Sequence, residues 1–322
     1  MKVLVTGGAG FIGSHIVEAL LEQGTEVVVV DNLATGLRRN LNPNVPFYRT
    51  SVTDNKLKHI FRVERPDFVI HEAAQTAVSR SVHDPIYDAR VNILGSLNVL
   101  DNCVKFNVGR IVYASSCAVY GSPGYIPINE EHPLNAISPY GVSKQTVERY
   151  LHVYHETRGL DYCALRYSNV FGPRQNPGGE SGVVAIFTHQ MLSGQQPRIY
   201  GNGEKTRGYI YVGDVVRANL LALNAVKNGI YNIGTGEETS DRRIFELISR
   251  ACAYQGEPRY VDERPGEIRR MCLDCTKALK ELNWASETPL EEGIVRTVKY
   301  CSEGEGAGMY MGLFTPLDSA AQ

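Results

Sequence analysis

The cluster Thr6-Gly7-Gly8-Ala9-Gly10-Phe11-Ile12-Gly13 limits the possible folds more than any other segment of the chain. Lys2 to Thr6 is β-branched and reads as a buried strand, and Ile12 to Gln23 carries helical spacing. Passing from one to the other over so few residues requires a tight backbone turn, which glycine permits. Glu26 to Val30 then brings four consecutive valines, a run typical of a parallel strand covered on both faces. The next residue is an acid, Asp31.

The alternation continues. Val45 to Arg49, Phe68 to His71, Arg110 to Ala114 and Asp161 to Tyr167 read as strands, and Leu57 to Val63, Ile86 to Phe106 and Pro139 to Arg158 as helices. Ser138-Pro139 suits a helix start, because proline lacks an N–H that the first turn would leave unpaired. Such alternation predicts right-handed βαβ units and an α/β fold with a doubly wound, Rossmann-like parallel sheet. Gly172 to Gly182 is rich in Gly and Pro, and turn-formers surround two short apolar stretches between Leu192 and Arg207. A dinucleotide-binding domain over residues 1–170 is therefore expected, followed by a smaller α/β substrate domain over 171–322. Gly229 to Gly234 reads as a strand returning to the first sheet, and the tail from Glu303 shows little period.

Lys and Arg number 33 against 35 Asp and Glu, a balance that argues against nucleic acid as the main partner. No apolar run reaches the roughly 18 residues that would point to a membrane span, and the N-terminus has no signal-peptide layout. Seven scattered cysteines fit reduced thiols in a cytoplasm. Cys272 and Cys275 have a metal-like gap but no second pair or histidine at ligand spacing, so no metal site is expected.

Three segments carry chemistry. The glycine cluster between strand and helix suits a pyrophosphate at the helix N-terminus, and Asp31 can bond ribose hydroxyls and repel a 2′-phosphate, which favours NAD over NADP. Tyr140 and Lys144 lie four residues apart, so phenol and ammonium share a helix face, and a neighbouring cation stabilises a phenolate base. By itself such a pair is an ordinary helix face. Ser115 and Ser116 follow the fifth strand, at the edge where open α/β sheets bind ligands. A serine-rich turn is also common, but every unusual segment falls on that one edge. Ser51-Val52 follows strand three, Ala73-Ala74-Gln75 strand four and Ser168-Asn169 strand six.

Together these residues resemble the extended short-chain dehydrogenase/reductase family, and more closely its NAD-dependent nucleotide-sugar 4-epimerases, from Met1 to about Thr297. The resemblance includes Arg166-Tyr167-Ser168-Asn169-Val170-Phe171-Gly172-Pro173, the segment Arg207 to Val215, and Arg264-Pro265-Gly266-Glu267. It implies Ser116, Tyr140 and Lys144 as the catalytic set. It implies cofactor contacts at Gly7, Gly10, Phe11, Ile12, Gly13, Asp31, Asn32, Thr35, Gly36, Ser51, Val52, Ala73, Ala74, Gln75, Asn92, Ser115, Tyr140, Lys144 and Tyr167. On the substrate side it implies Ser116, Tyr140, Asn169, Val183, Arg207, Tyr209, Arg264, Glu267 and Met271, the arginines suiting diphosphate oxygens.

Two positions depart from the family pattern. Ser51 stands where an Asp usually reaches the adenine amino group, which implies weaker adenine recognition. Met271 occupies a position that faces the hexose in epimerases; it is flexible and intermediate in size, so acceptance of N-acetyl sugars stays open. Cys117-Ala118 lies where sugar dehydratases and decarboxylases carry acids, and without an acid there dehydration is disfavoured. The resemblance therefore implies reversible 4-epimerisation of UDP-galactose and UDP-glucose through a 4-keto sugar. The alternatives are UDP-N-acetylhexosamine or UDP-glucuronate epimerisation, or a non-catalytic dinucleotide sensor. It also implies a homodimer pairing helices 86–106 and 139–158, with Leu94, Leu97 and Leu100 either at that contact or in the core.

Overall fold

A computed structural model describes residues 1–178, 182–263 and 267–303. The chain opens with β1 (Lys2–Thr6), α1 (Phe11–Glu22), β2 (Glu26–Asp31), β3 (Phe47–Arg49), α2 (Lys56–Glu64) and β4 (Phe68–His71). Two short helices, α3 (Val78–His83) and α4 (Pro85–Ala89), lead through a widened π turn at Arg90–Leu94 into α5 (Gly95–Lys105), β5 (Arg110–Ser116), α6 (Pro139–Arg158) and β6 (Asp161–Tyr167). Beyond these come β7 (Asn169–Phe171), α7 (Val183–Leu192), β8 (Arg198–Tyr200), β9 (Thr206–Arg207), β10 (Tyr209–Tyr211), α8 (Val212–Leu223) and β11 (Gly229–Ile233). The last elements are β12 (Thr239–Ser240), α9 (Asp241–Cys252), β13 (Arg259–Val261), β14 (Arg270–Met271), α10 (Thr276–Leu282) and α11 (Leu290–Ser302).

Seven of these strands form one parallel sheet in the order β11-β6-β5-β4-β1-β2-β3. Its central strands are buried on both faces, which is why they read as continuous Val and Ile rather than as alternation. One face packs Val3, Val5, Val27 and Val29 against Ile16 and Leu20 of α1 and Val215 and Ala218 of α8. The other packs Leu4, Val69 and Ile111 against Leu57 and Phe61 of α2, Val99 and Leu100 of α5, and Val147 and Leu151 of α6. Strand order reverses between β1 and β4, so the crevice of the fold opens at their carboxyl ends.

The expected helix Ile86–Phe106 is not uniform. Ser96 donates its hydroxyl to the Asn92 carbonyl at 2.6 Å, and the turn around Asn92 widens to π geometry. Leu100 belongs to the core, Leu97 is partly buried and Leu94 is exposed. The second half of the chain builds its own apolar cluster from α7, α9 and α11. Even so, α8, β11, α10 and Trp284 pack back on the first sheet, so the chain leaves that layer and returns to it. The tail 304–322 lies outside the described residues.

Candidate active site

The glycine loop is fixed by close approach. Gly7 has φ +69°, and a β-carbon there would sit 2.6 Å from the Ala73 amide nitrogen, across the β1/β4 crevice. A β-carbon on Gly13 would lie 2.3 Å from the Gly7 carbonyl oxygen. Gly10 caps α1 without a side-chain acceptor, so the amides of its first turn at Phe11 and Ile12 remain open to an anion. Asp31 is buried and braces this loop. Its carboxylate accepts from the Ala9 amide at 3.0 Å and the Leu33 amide at 2.7 Å, while burial raises its pKa. Asn32 closes the next turn by accepting from the Ala34 amide, Thr35 is exposed, and Gly36 packs against Ala9. Asn40, which the sequence did not flag, donates to the Ala9 carbonyl.

A buried relay holds the second wall. Thr6 and His71 bond at 2.6 Å, His71 and Ser96 at 2.9 Å, and Thr6 accepts from the Ala73 amide. Burial lowers His71 to about 3, with Lys144 adding to the effect, so the ring is neutral and the relay orders Ala73-Ala74 beneath Gly7. Gln75 and Asn92 face each other: the Gln75 amide donates to Asn92 Oδ1 at 2.8 Å, and Asn92 Nδ2 donates to the Gln75 carbonyl at 2.9 Å. Both side chains also reach Asp88, so they shape this loop from within. Ser51 turns back on the Thr53 amide, and Val52 packs in the core beneath α5.

The catalytic set comes together at the carboxyl end of β5. The Tyr140 phenol is hydrogen-bonded to the Ser116 hydroxyl. Lys144, one turn on, donates from Nζ to the Ala114 carbonyl at 2.6 Å and lies 5.8 Å from the Tyr140 ring centroid. Burial pulls the Lys144 ammonium down to about 8 against the upward pull of Glu72, Asp88 and Glu148. The sequence reading gives Lys144 and a bound nicotinamide together as what lowers the phenol; among the chain's own groups the balance runs upward. Burial raises Tyr140 most, the Ser116 bond opposes it, and Cys117, Asp88 and Glu72 add to the rise.

Adjacent strand side chains point to opposite faces, and this separates the two serines. Ser116 meets Tyr140, whereas Ser115 turns inward and donates to Glu148 at 2.6 Å. Tyr167 is buried, donating to Glu72 at 2.8 Å and accepting from Asn219. Glu72 is raised to about 7 by burial, opposed by Tyr167 and Lys144. The sequence places Glu72 in the family-like segment His71–Gln75 without a role, and Glu148 does not stand out, although it continues the four-residue spacing of Tyr140 and Lys144.

On the substrate side Asn169 starts β7, Val183 opens α7 and Arg207 lies in β9, all half-buried. Arg207 pairs in register with Met271. Two of the residues expected on this side are buried in apolar clusters. Tyr209 is buried in the second cluster with its hydroxyl on Asp241, because alternation along β10 turns it inward. Met271 is only 2% exposed and packs against Val119, Tyr120, Ile128 and Leu273. Glu267 accepts from Lys205 at 2.6 Å, and Arg264 lies outside the described residues.

The sequence profile of the NAD dependent epimerase/dehydratase family matches residues 3–234. The chain belongs to this family. Among solved structures, the UDP-glucose 4-epimerase of Thermotoga maritima, crystallised with UDP-glucose, is 46% identical with a TM-score of 0.91, covering 93% of this chain and 98% of that one. The Thermus thermophilus UDP-glucose 4-epimerase, in complex with NAD, is 44% identical with a TM-score of 0.89 over 93% and 98%. The UDP-glucose 4-epimerase of Mycolicibacterium smegmatis is 39% identical, covering 93% of this chain and 98% of its own length. The open first-turn amides of α1, and a glycine loop whose tight turn tolerates no β-carbon at Gly7 or Gly13, fit the family's dinucleotide.

Proposed function

We propose that the protein interconverts UDP-galactose and UDP-glucose at C4, with NAD retained through each turnover. The observation that carries this reading is the Ser116–Tyr140 hydrogen bond above a buried Lys144, in a turn whose next residues, Cys117 and Ala118, supply no acid. When bound, NAD would supply the acceptor and donor for the C4 hydride and a positive charge that favours the phenolate. Tyr140 takes the proton of the 4-hydroxyl, and Ser116 holds the 4-oxygen and passes the proton to it. Lys144 stabilises the phenolate while it exists. Asn169 and Arg207 hold the diphosphate, so the 4-keto sugar can turn about its link to that group and present its other face. Cys117-Ala118 cannot protonate a leaving hydroxyl, which separates this site from a dehydratase.

UDP-N-acetylhexosamine is a second substrate reading. Met271 packs into the Val119–Tyr120 cluster in register with Arg207, and a flexible methionine there leaves room for a larger C2 substituent. Chromatography of the products from UDP-galactose, UDP-N-acetylglucosamine and UDP-glucuronate, with initial rates for each, decides between the substrates. Conversion of none of them, by protein that binds NAD and UDP, would establish a sensor instead.

We place the dinucleotide on residues 1–170 and the sugar against the segment that follows, in the cytoplasm, where scattered thiols stay reduced. A homodimer is supported by exposed apolar side chains on adjacent helices: Ile86 (72%) and Leu94 (59%) beside Val142 (49%) and Val153 (48%) of α6. Leu94→Glu is expected to convert the dimer to monomer in light scattering; an unchanged mass in that variant would exclude this face.

A further inference from the structure

Glu148 lies on α6 two turns beyond Tyr140, with Lys144 between them on the same face, and is only 2% exposed. Its carboxylate is fully engaged. Oε1 accepts from Ser115 at 2.6 Å and from Arg166 Nε at 2.9 Å, and Oε2 accepts from Arg166 Nη2 at 2.7 Å. Ser115 and Arg166 are register partners on β5 and β6, each one residue before the strand end. One carboxylate therefore grips two neighbouring strands beside the edge where Ser116 and Tyr167 stand. Arg166 extends the clamp through Nη1 to the Tyr120 hydroxyl at 2.8 Å, and Tyr120 donates to Asn232 of β11 at 2.7 Å.

A buried ion pair is a poor source of stability, since desolvating both charges offsets most of their attraction. Its geometric value is larger. A bidentate guanidinium–carboxylate contact has one good arrangement, so it sets the height and rotation of the helix against the strands. On α6 that height decides whether the Tyr140 phenol meets Ser116. We propose that Glu148, clamped between Ser115 and Arg166, is a positioning residue of the reaction that sets Tyr140 and Lys144 against Ser116. This inference rests on the epimerase reading above. The same anion also works through charge, favouring the protonated form of Lys144 against the burial that pulls it to about 8.

The test compares Glu148→Gln, Glu148→Asp, Ser115→Ala and Glu148→Gln/Arg166→Gln as purified holoenzymes over a range of pH. In Glu148→Gln, kcat is expected to fall on the order of tenfold with KM for UDP-glucose within about twofold. Activity is expected to decline as Lys144 loses its proton, and in this variant the decline is expected to begin at lower pH, because an attractive charge has gone and Arg166 is left uncompensated. Removing both charges is expected to move that limb back, and Glu148→Asp, which keeps the charge on a shorter arm, to lower kcat without moving it. Should Glu148→Gln fail to fold, Ser115→Ala loosens only the β5 side and is expected to lower kcat with KM held. Wild-type kcat and an unmoved limb in folded Glu148→Gln would overturn the proposal. Failure of the wild type to convert any UDP-hexose would instead overturn the epimerase reading.

Discussion

Lys144 donates its ammonium to the Ala114 carbonyl from a position buried between α6 and β5, 4.9 Å from the Tyr113 ring centroid. A cation there is held at a cost. Its pKa falls from 10.5 to about 8, which at about 1.4 kcal/mol per pH unit is on the order of 3 kcal/mol of stability. The unfolded chain keeps that proton up to its ordinary value, so the cost is full below pH 8 and is relieved between about 8 and 10.5. Lys144→Met is therefore expected to gain about 1–3 kcal/mol at pH 7 in denaturant titration while losing activity. The gain shrinks as pH rises toward 10.5. A destabilised variant at pH 7 would show that the ammonium contributes to the fold more than it strains it.

Tyr140→Phe removes the phenolic oxygen and leaves the ring. Turnover is expected to fall about 10²–10⁴-fold, with the NAD content of the purified protein near that of wild type. Absorbance of the released cofactor and a coupled assay for UDP-glucose measure the two quantities. Activity within a few fold of wild type would assign the base elsewhere.

Asp31 braces Ala9 and Leu33 as well as standing at the ribose position, so its removal has two effects. Asp31→Ala leaves two amides without their acceptor and is expected to cost about 1–3 kcal/mol in unfolding, together with loss of retained NAD. Calorimetry on cofactor-stripped protein isolates the first effect. An unchanged melting temperature there would mean that water replaces the carboxylate.

Glu72 carries the opposite sign from Lys144. Its folded pKa is raised to about 7 against an ordinary 4.5, so the folded protein holds a proton that the unfolded chain releases, and stability falls as pH rises from 4.5 through 7. Glu72→Gln keeps an acceptor for Tyr167 without the charge. It is expected to melt near wild type at pH 4.5 and above it at pH 8. Equal melting temperatures at both values would place Glu72 in a more solvated setting.

The placement of Gly7, Ala73 and Ser116 on one edge was legible because each ends or closely follows a short run of buried β-branched residues, and parallel strands share a direction. Their side-chain directions were less legible. Ser115 and Ser116 are identical in composition, and only the extension of β5 to Ser116 decides which turns to α6 and which to the crevice. Tyr209 and Met271 lie in strands of three and two residues, too short for a period to show which face is buried. Glu148 and Arg166 become partners through tertiary packing alone, and an acid in a long polar helix reads as a solvated face until its partner strand is known. The upward pull on the Tyr140 phenol is likewise a property of the assembled site. Local spacing shows the cation nearby but not the water that is lost.

The account turns on a hydride that leaves C4 and returns to C4 without meeting solvent. The direct measurement incubates the purified protein with UDP-galactose in deuterium oxide, with no NAD added, and reads the product by proton NMR. The expected result is UDP-glucose, with hydrogen retained at C4 and the same mixture reached from either sugar. Deuterium at C4, a deoxy-keto product, or no conversion by NAD-containing protein would contradict it.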